Sequence, residues 1–146
     1  MLVEWLSGSV VHVGSTAVPG LAAKPIIDLQ AVALEPASAI ATAQDALVAS
    51  SWLFVPRELG QRAWRWFLVR ADVAGQHRLA HLHLMRPDEP RWHRQLAFRD
   101  GLRADPALAR EYAQLKIDAA SEHAHDREAY TEAKSAFVRH VLDRSS

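Results

Sequence analysis

A small-residue loop between two apolar runs is the part of this chain best suited to chemistry. Residues 10–13 are apolar apart from one histidine and end at Gly14-Ser15-Thr16, and the next apolar run carries one carboxylate, Asp28. Small residues after a strand allow backbone N–H groups to approach an anion closely. A carboxylate on the neighbouring strand can hold a divalent cation beside that anion. The layout predicts a site for a phosphate group and a metal ion; the alternative is a tight structural turn beside a capping or salt-bridged carboxylate.

Three histidines lie on predicted strands and would share a face with this carboxylate if those strands are its neighbours. Side chains alternate along a strand, so residues two apart share a face, and His81 and His83 are two apart in an apolar run. His12 lies two residues before Gly14, and we assign it to the same face. Imidazole suits zinc, nickel or manganese better than magnesium; the alternative is a solvent-facing polar stripe. The predicted metal ligands are Asp28, His12, His81 and His83.

The strands that would position these residues follow from hydrophobic periodicity. Apolar runs predict strands over residues 10–13, 26–34, 53–55, 64–70 and 79–85, the last two joined as a hairpin. Residues 18–23 form a loop, with one helical turn at most. On the second strand, Ile27, Leu29 and Ala31 are predicted to face the core, and Asp28 and Gln30 the opposite side.

Helical patterns cover residues 36–50 and most of the last third of the chain. Helices are predicted over residues 92–102 and 107–121 and beyond Asp126, with Asp105 and Asp126 as N-caps. Strands followed by helices indicate an α+β fold with a mixed sheet.

Composition bounds the class of protein. The 146 residues are one domain by length, and 17 basic residues balance 17 acidic ones, which argues against non-specific binding to nucleic acid or a membrane surface. The chain has no cysteine, so disulfides and thiolate catalysis are excluded. No apolar run has the length of a membrane span and no basic segment opens the chain, so we expect a cytoplasmic protein.

The segment HVGSTAVPGLAAKPIIDL, residues 12–29, resembles the signature of the GrpB family, a group of small proteins placed in the nucleotidyltransferase superfamily. The segments LAFRDGLR (96–103), YAQLK (112–116) and YTEAK (130–134) resemble the same family in the same order. The resemblance implies a nucleotidyltransferase-type mixed sheet with a helical C-terminal third, as one domain over residues 1–146. It also implies a helical segment before the first strand. Only nine residues precede Val10, so we expect either a domain shortened at its N-terminus or a sequence whose assigned start is late. A sheet face would then be exposed or covered by a second copy in a homodimer.

The superfamily pattern also implies a Gly-Ser element for phosphates and three acids that hold two divalent cations. This chain has Gly14-Ser15 and Asp28, but Gln30 replaces the second acid, and histidines stand where the third is expected. Lys24 precedes the second strand and can reach the site, and the resemblance adds later basic residues. The predicted phosphate-binding residues are Gly14, Ser15, Thr16, Lys24, Arg99, Lys116 and Lys134.

These residues together predict a protein that binds a nucleotide or phosphorylated small molecule. We expect a divalent metal (magnesium, manganese or zinc) beside Asp28, the catalytic candidate, and weak or no classical nucleotidyl transfer. The alternatives are an active nucleotidyltransferase, a metal-dependent hydrolase built on Asp28, His81 and His83, and a scaffold-like partner of another protein.

Overall fold

A mixed sheet forms the centre of the fold in the computed structural model, which describes residues 10–60 and 62–144. Its strands are β1 Val11–Val13, β2 Ile27–Val32, β3 Trp52–Val55, β4 Trp66–Ala71 and β5 Arg78–Met85. Their spatial order is β1-β2-β5-β4-β3, and only the central β2–β5 pair of this sheet is parallel. The predicted β4–β5 hairpin and the α+β class are confirmed.

Five α-helices and one short 3-10 turn accompany the sheet within the described part of the chain. The helices are α1 Pro36–Ala49, α2 Arg57–Gly60, α3 Arg91–Ala104, α4 Pro106–Glu122 and α5 Arg127–Arg144. The Asp105 carboxylate accepts hydrogen bonds from two N–H groups of α4, and that of Asp126 accepts one from α5, so both predicted N-caps are confirmed. The helical turn expected within 18–23 instead lies at Ser15–Ala17, directly after β1.

One face of the sheet packs against α1 and forms the main core. Leu68 and Leu82 are fully buried there, and Ala31 and Leu29 of β2 belong to the same cluster. Ile27 pairs with Ala80 and so lies on the predicted face, but it begins β2 at the end of the sheet, is 45% exposed and is not part of this core.

The opposite side of the molecule is a three-helix layer formed by α3, α4 and α5. Tyr112 lies at its centre, with ring centroids 5.1 Å from Phe98 and 5.4 Å from Phe137. Val18, which follows the 3-10 turn, is buried in the same cluster. The loop after β1 is therefore anchored to the helical layer as well as to the sheet.

None of the described helices is long and apolar enough to cross a membrane. The expectation about a segment before the first strand concerns residues 1–9, which lie outside the described residues.

Candidate anion-binding site

The turn after β1 is built around a glycine that no other residue replaces easily. Gly14 has φ +75° and ψ −171°, a region that side chains other than hydrogen rarely allow. A Cβ placed on it would lie 3.0 Å from Oδ2 of Asp28 on the adjacent strand. The 3-10 turn then folds back, with the N–H of Ala17 donating to the Gly14 carbonyl at 3.1 Å. The glycine thus brings the loop backbone directly against the carboxylate.

A lysine from the distant helix α4 ties this loop together. The Nζ atom of Lys116 donates to the Oγ atom of Ser15 at 2.8 Å and to the carbonyl of Ala22 at 3.3 Å. The same Nζ atom lies 5.1 Å from the ring centroid of Tyr112, one helical turn earlier. Burial lowers the pKa of Lys116, and the nearby charge of Lys134 lowers it further. An ammonium group is therefore held against the loop where both burial and a neighbouring like charge disfavour its protonated form.

The other two lysines lie in the same electrostatic neighbourhood. Burial lowers the pKa of Lys134, the charge of Asp28 acts in the opposite direction, and the charge of Lys24 lowers it again. Lys24, Lys116 and Lys134 are the only lysines in the sequence. Within residues 10–60 and 62–144, no ion pair joins any of them to a carboxylate. The charge of Lys134 therefore acts on Lys116 and that of Lys24 acts on Lys134, and none of the three forms an ion pair among the described residues.

Asp28 and two histidines meet on the helical face of the sheet. The parallel register aligns Asp28 with His81 and the position two residues on with His83. Oδ1 of Asp28 lies 3.4 Å from Nδ1 of His81 and 3.3 Å from Nε2 of His83. Partial burial would raise the pKa of Asp28, but the hydrogen bonds and charges of the two histidines outweigh it and hold that pKa far below its ordinary value. The predicted convergence of these three residues is confirmed.

An arginine fixes the tautomer of one of these histidines. Nη1 of Arg65 lies 2.6 Å from Nδ1 of His83, and because a guanidinium only donates, Nδ1 must accept. Burial lowers the pKa of His83, which favours the neutral ring. Its single proton is then on Nε2, the atom that faces Asp28.

This arrangement does not fit the expected divalent metal. The described residues contain no group of three or more histidine, aspartate or glutamate side chains placed to hold a metal ion. His83 turns an N–H toward Asp28 rather than the lone pair that a metal requires, and His81 also approaches the ionised carboxylate with a donor.

His12 is not on the face of the sheet that carries Asp28, so the prediction that the two share a face is wrong. The antiparallel register pairs Val13 with Asp28 and His12 with Leu29, and directly paired residues share a face. His12 therefore leaves the sheet on the α1 side, where its Nε2 lies 2.8 Å from Oγ1 of Thr16. The Thr16 hydroxyl is accordingly used within the loop.

Arg99 does not fit its predicted phosphate-binding role. Its Nη1 donates to the carbonyl of His12 at 3.0 Å, and its other nitrogens bind the carboxylate of Asp100 at 2.8 Å. One turn later, Arg103 donates to the carbonyl of Ala17 at 2.8 Å. These two arginines of α3 hold the end of β1 and the last residue of the turn, and all three nitrogens of the Arg99 guanidinium have partners in the protein.

Gln30, at the position of the second acid, is a buried structural residue. Its side chain is fully buried, and its Nε2 donates to the carbonyl of Trp92 in α3 at 3.0 Å. Sequence reasoning missed the roles of Arg65, Arg103 and Tyr112. The three lysines of the sequence, at positions 24, 116 and 134, were all among the predicted phosphate-binding residues.

Comparison with known proteins places the chain within a family. The model of the GrpB family, described as GrpB protein, matches residues 1–144, and the chain belongs to that family. A UPF0157 protein of Pseudomonas aeruginosa is 39% identical over 143 residues, covering 92% of this chain and 54% of that protein. The UPF0157 protein YqkA of Bacillus subtilis is 33% identical over 129 residues, covering 88% of this chain and 36% of that protein. The chain thus spans about a third to a half of the length of these two relatives.

A solved structure shares the fold. The crystal structure of a conserved protein GrpB from Enterococcus faecalis superposes with a TM-score of 0.75 at 30% identity, covering 99% of this chain and 82% of that one. The expected family and fold class are confirmed.

Proposed function

We propose that this protein binds a nucleotide or another phosphorylated small molecule at the loop that begins with Gly14 and Ser15. The observation that carries the proposal is the contact of Lys116 with Ser15, beside a second lysine, Lys134, whose charge acts on Lys116, while neither forms an ion pair with a carboxylate among the described residues. Holding partly buried like charges near one another is unfavourable unless another group compensates them. A phosphate group supplies that compensation.

The loop backbone suits the same ligand. Gly14 brings the chain close to Asp28, and the first N–H groups of the 3-10 turn have no acceptor within the turn itself. The side chain of Ser15 already lies in the lysine cluster. A phosphate here would meet charge from the lysines and hydrogen-bond donors from the loop.

Efficient nucleotidyl transfer is not expected of this site. Two-metal catalysis needs several anionic oxygens to hold hard cations a few ångström apart. Asp28 is the carboxylate of this cluster, and Gln30 is directed to a backbone carbonyl of α3. In the proposed function the ligand binds without a metal ion.

Calorimetric titration in the presence of EDTA tests the proposal. The ligands are inorganic phosphate, pyrophosphate and a nucleoside triphosphate, with the unphosphorylated nucleoside as the matched control. We expect binding to strengthen with ligand charge and the nucleoside to bind weakly or not at all. Equal binding of nucleoside and nucleotide, or no binding of any anion, contradicts an anion site.

A further inference from the structure

We propose that Arg65, acting through His83, is the internal counter-cation of Asp28, so that the anion site works without a divalent metal ion. The inference rests on the proposed function for the identity of the ligand. The pairing of Arg65 with Asp28 does not depend on which ligand binds. Arg65 is a positioning residue in this account, since it acts through the imidazole of His83.

A continuous hydrogen-bonded chain carries the inference. Nη1 of Arg65 lies 2.6 Å from Nδ1 of His83, and Nε2 of the same ring lies 3.3 Å from Oδ1 of Asp28. The imidazole thus joins a fixed cation to the carboxylate, and both of its nitrogens are used. Hydrogen bonds in such chains polarise one another, which strengthens the pairing.

Aromatic rings hold the cation in place. The guanidinium carbon of Arg65 lies 3.9 Å from the ring centroid of Phe67 and 5.5 Å from that of Trp64. The same two rings stack on His83, at centroid distances of 5.4 Å and 5.9 Å. Cation–π contacts and stacking fix the geometry before any ligand arrives, so little ordering remains to oppose binding.

The position of Asp28 explains why such a cation is needed. Its carboxylate lies directly against Gly14, at the start of the proposed anion loop. An uncompensated negative charge there would repel a phosphate group. In a two-metal site the metal ions offset such charges. Here Arg65 compensates the charge through His83.

The same contacts exclude a metal at Oδ1 of Asp28. To donate a lone pair to a metal there, His83 would have to move its proton to Nδ1. That proton would then face the guanidinium donor of Arg65 at a separation of 2.6 Å between the nitrogens. A cation could bind only after Arg65 had left its position against Phe67.

Two measurements on the unaltered chain test the pairing directly. Nitrogen-15 NMR of the histidine rings reports protonation at each nitrogen, and we expect His83 to be neutral with its proton on Nε2. Electron paramagnetic resonance of added manganese(II) without any anion should show no stoichiometric binding at micromolar metal. A proton on Nδ1 of His83, or tight manganese binding that Asp28→Asn abolishes, overturns the inference.

Substitutions then test the consequence for the ligand. Arg65→Gln should weaken binding of inorganic phosphate in EDTA by about tenfold, and Arg65→Lys should recover part of the loss. The control Arg70→Gln, at an exposed arginine of the strand that begins directly after Arg65, should change affinity by less than about twofold. Equal effects of Arg65→Gln and Arg70→Gln, or wild-type phosphate binding that vanishes in EDTA and returns with magnesium, overturn the proposal. If phosphate fails to bind the wild type at all, the proposed function fails, and the NMR and manganese measurements still decide the role of Arg65.

Discussion

The Nζ atom of Lys116 lies 2.8 Å from the Oγ atom of Ser15, although 101 residues separate the two in sequence. The contact joins the C-terminal helical layer to the loop that follows the first strand. It places the ammonium group of Lys116 beside a loop of small residues whose backbone is accessible. This relationship makes the loop a candidate anion site rather than a turn alone.

Gly14→Ala should destabilise the fold and weaken phosphate binding together. The backbone at Gly14 is in a region reserved almost entirely for glycine, and adding a Cβ there costs about 1–3 kcal/mol in the free energy of unfolding. The new methyl group would also press on Asp28. Thermal melts and phosphate titrations measure both effects.

Gly20→Ala is the matched control for that substitution. Gly20 also has a positive φ, +77°, but nothing lies within 4 Å of an added Cβ, and it is exposed. We expect it to leave phosphate affinity nearly unchanged. A Gly14→Ala protein that binds phosphate as the wild type does would show that the close approach to Asp28 is irrelevant to binding.

Phosphate affinity should fall as the solution becomes alkaline, starting below the ordinary lysine pKa of 10.5. Burial lowers the pKa values of both Lys116 and Lys134, so in the free protein they release protons at lower pH than ordinary lysines. A bound anion favours the protonated forms, and binding is therefore linked to proton uptake. Calorimetry at about pH 9 in two buffers with different ionisation enthalpies measures that uptake. Binding with no proton exchange at that pH would argue that the lysines do not meet the ligand.

One of the two tyrosines should ionise late. Burial raises the pKa of Tyr112 to about 12, with a further contribution from Tyr130. The protonated form is therefore favoured by the fold, and its stabilising contribution is present below pH 10.0 and lost as pH rises toward 12. Tyrosinate absorbance of the wild type should include a step at about pH 12, and Tyr112→Phe should remove it. A Tyr112 hydroxyl that ionises near its ordinary pKa of 10.0 would contradict its burial.

Magnesium-dependent nucleotidyl transfer should be weak or absent. The reason is the cluster itself, in which one carboxylate, Asp28, is bonded by two histidines and Gln30 is directed to the α3 backbone. Pyrophosphate release from the four common nucleoside triphosphates, with magnesium and then manganese, measures it. Robust turnover with magnesium that disappears in Asp28→Asn would show that this site is a catalytic metal centre after all.

The sequence was sufficient for the five strands and the four longer helices, but not for the short helix α2 or the position of the 3-10 turn. Alternation predicted the faces of Asp28, His81 and His83, because a period of two is a local property of a strand, and the family resemblance implied that their strands are neighbours. Asp105 and Asp126 were predictable as caps for the same reason, since an N-cap depends on residues adjacent in sequence.

The errors arose where non-local geometry decides. His12 was assigned to the wrong face because the antiparallel register of β1 against β2 depends on the intervening loop, which periodicity does not describe. The helix face of Arg99 follows from the sequence, and for that reason Arg99 was predicted to bind phosphate. Its hydrogen bond to the carbonyl of His12 is a contact between residues far apart in sequence, which periodicity does not predict. The role of Arg65 depends on the pairing of β4 with β5, which aligns Phe67 with His83.

Titration of inorganic pyrophosphate into Lys116→Gln and Arg110→Gln proteins tests the central claim most directly. Both substitutions remove one positive charge from α4, but Arg110 is exposed, and Lys116 lies against Ser15. The account predicts that Lys116→Gln weakens binding about tenfold or more while Arg110→Gln changes it less than about twofold, because a charge at the site is screened far less than one on the surface. Equal affinities for the two variants, in proteins with wild-type melting behaviour, would contradict a lysine-lined anion site at Gly14 and Ser15.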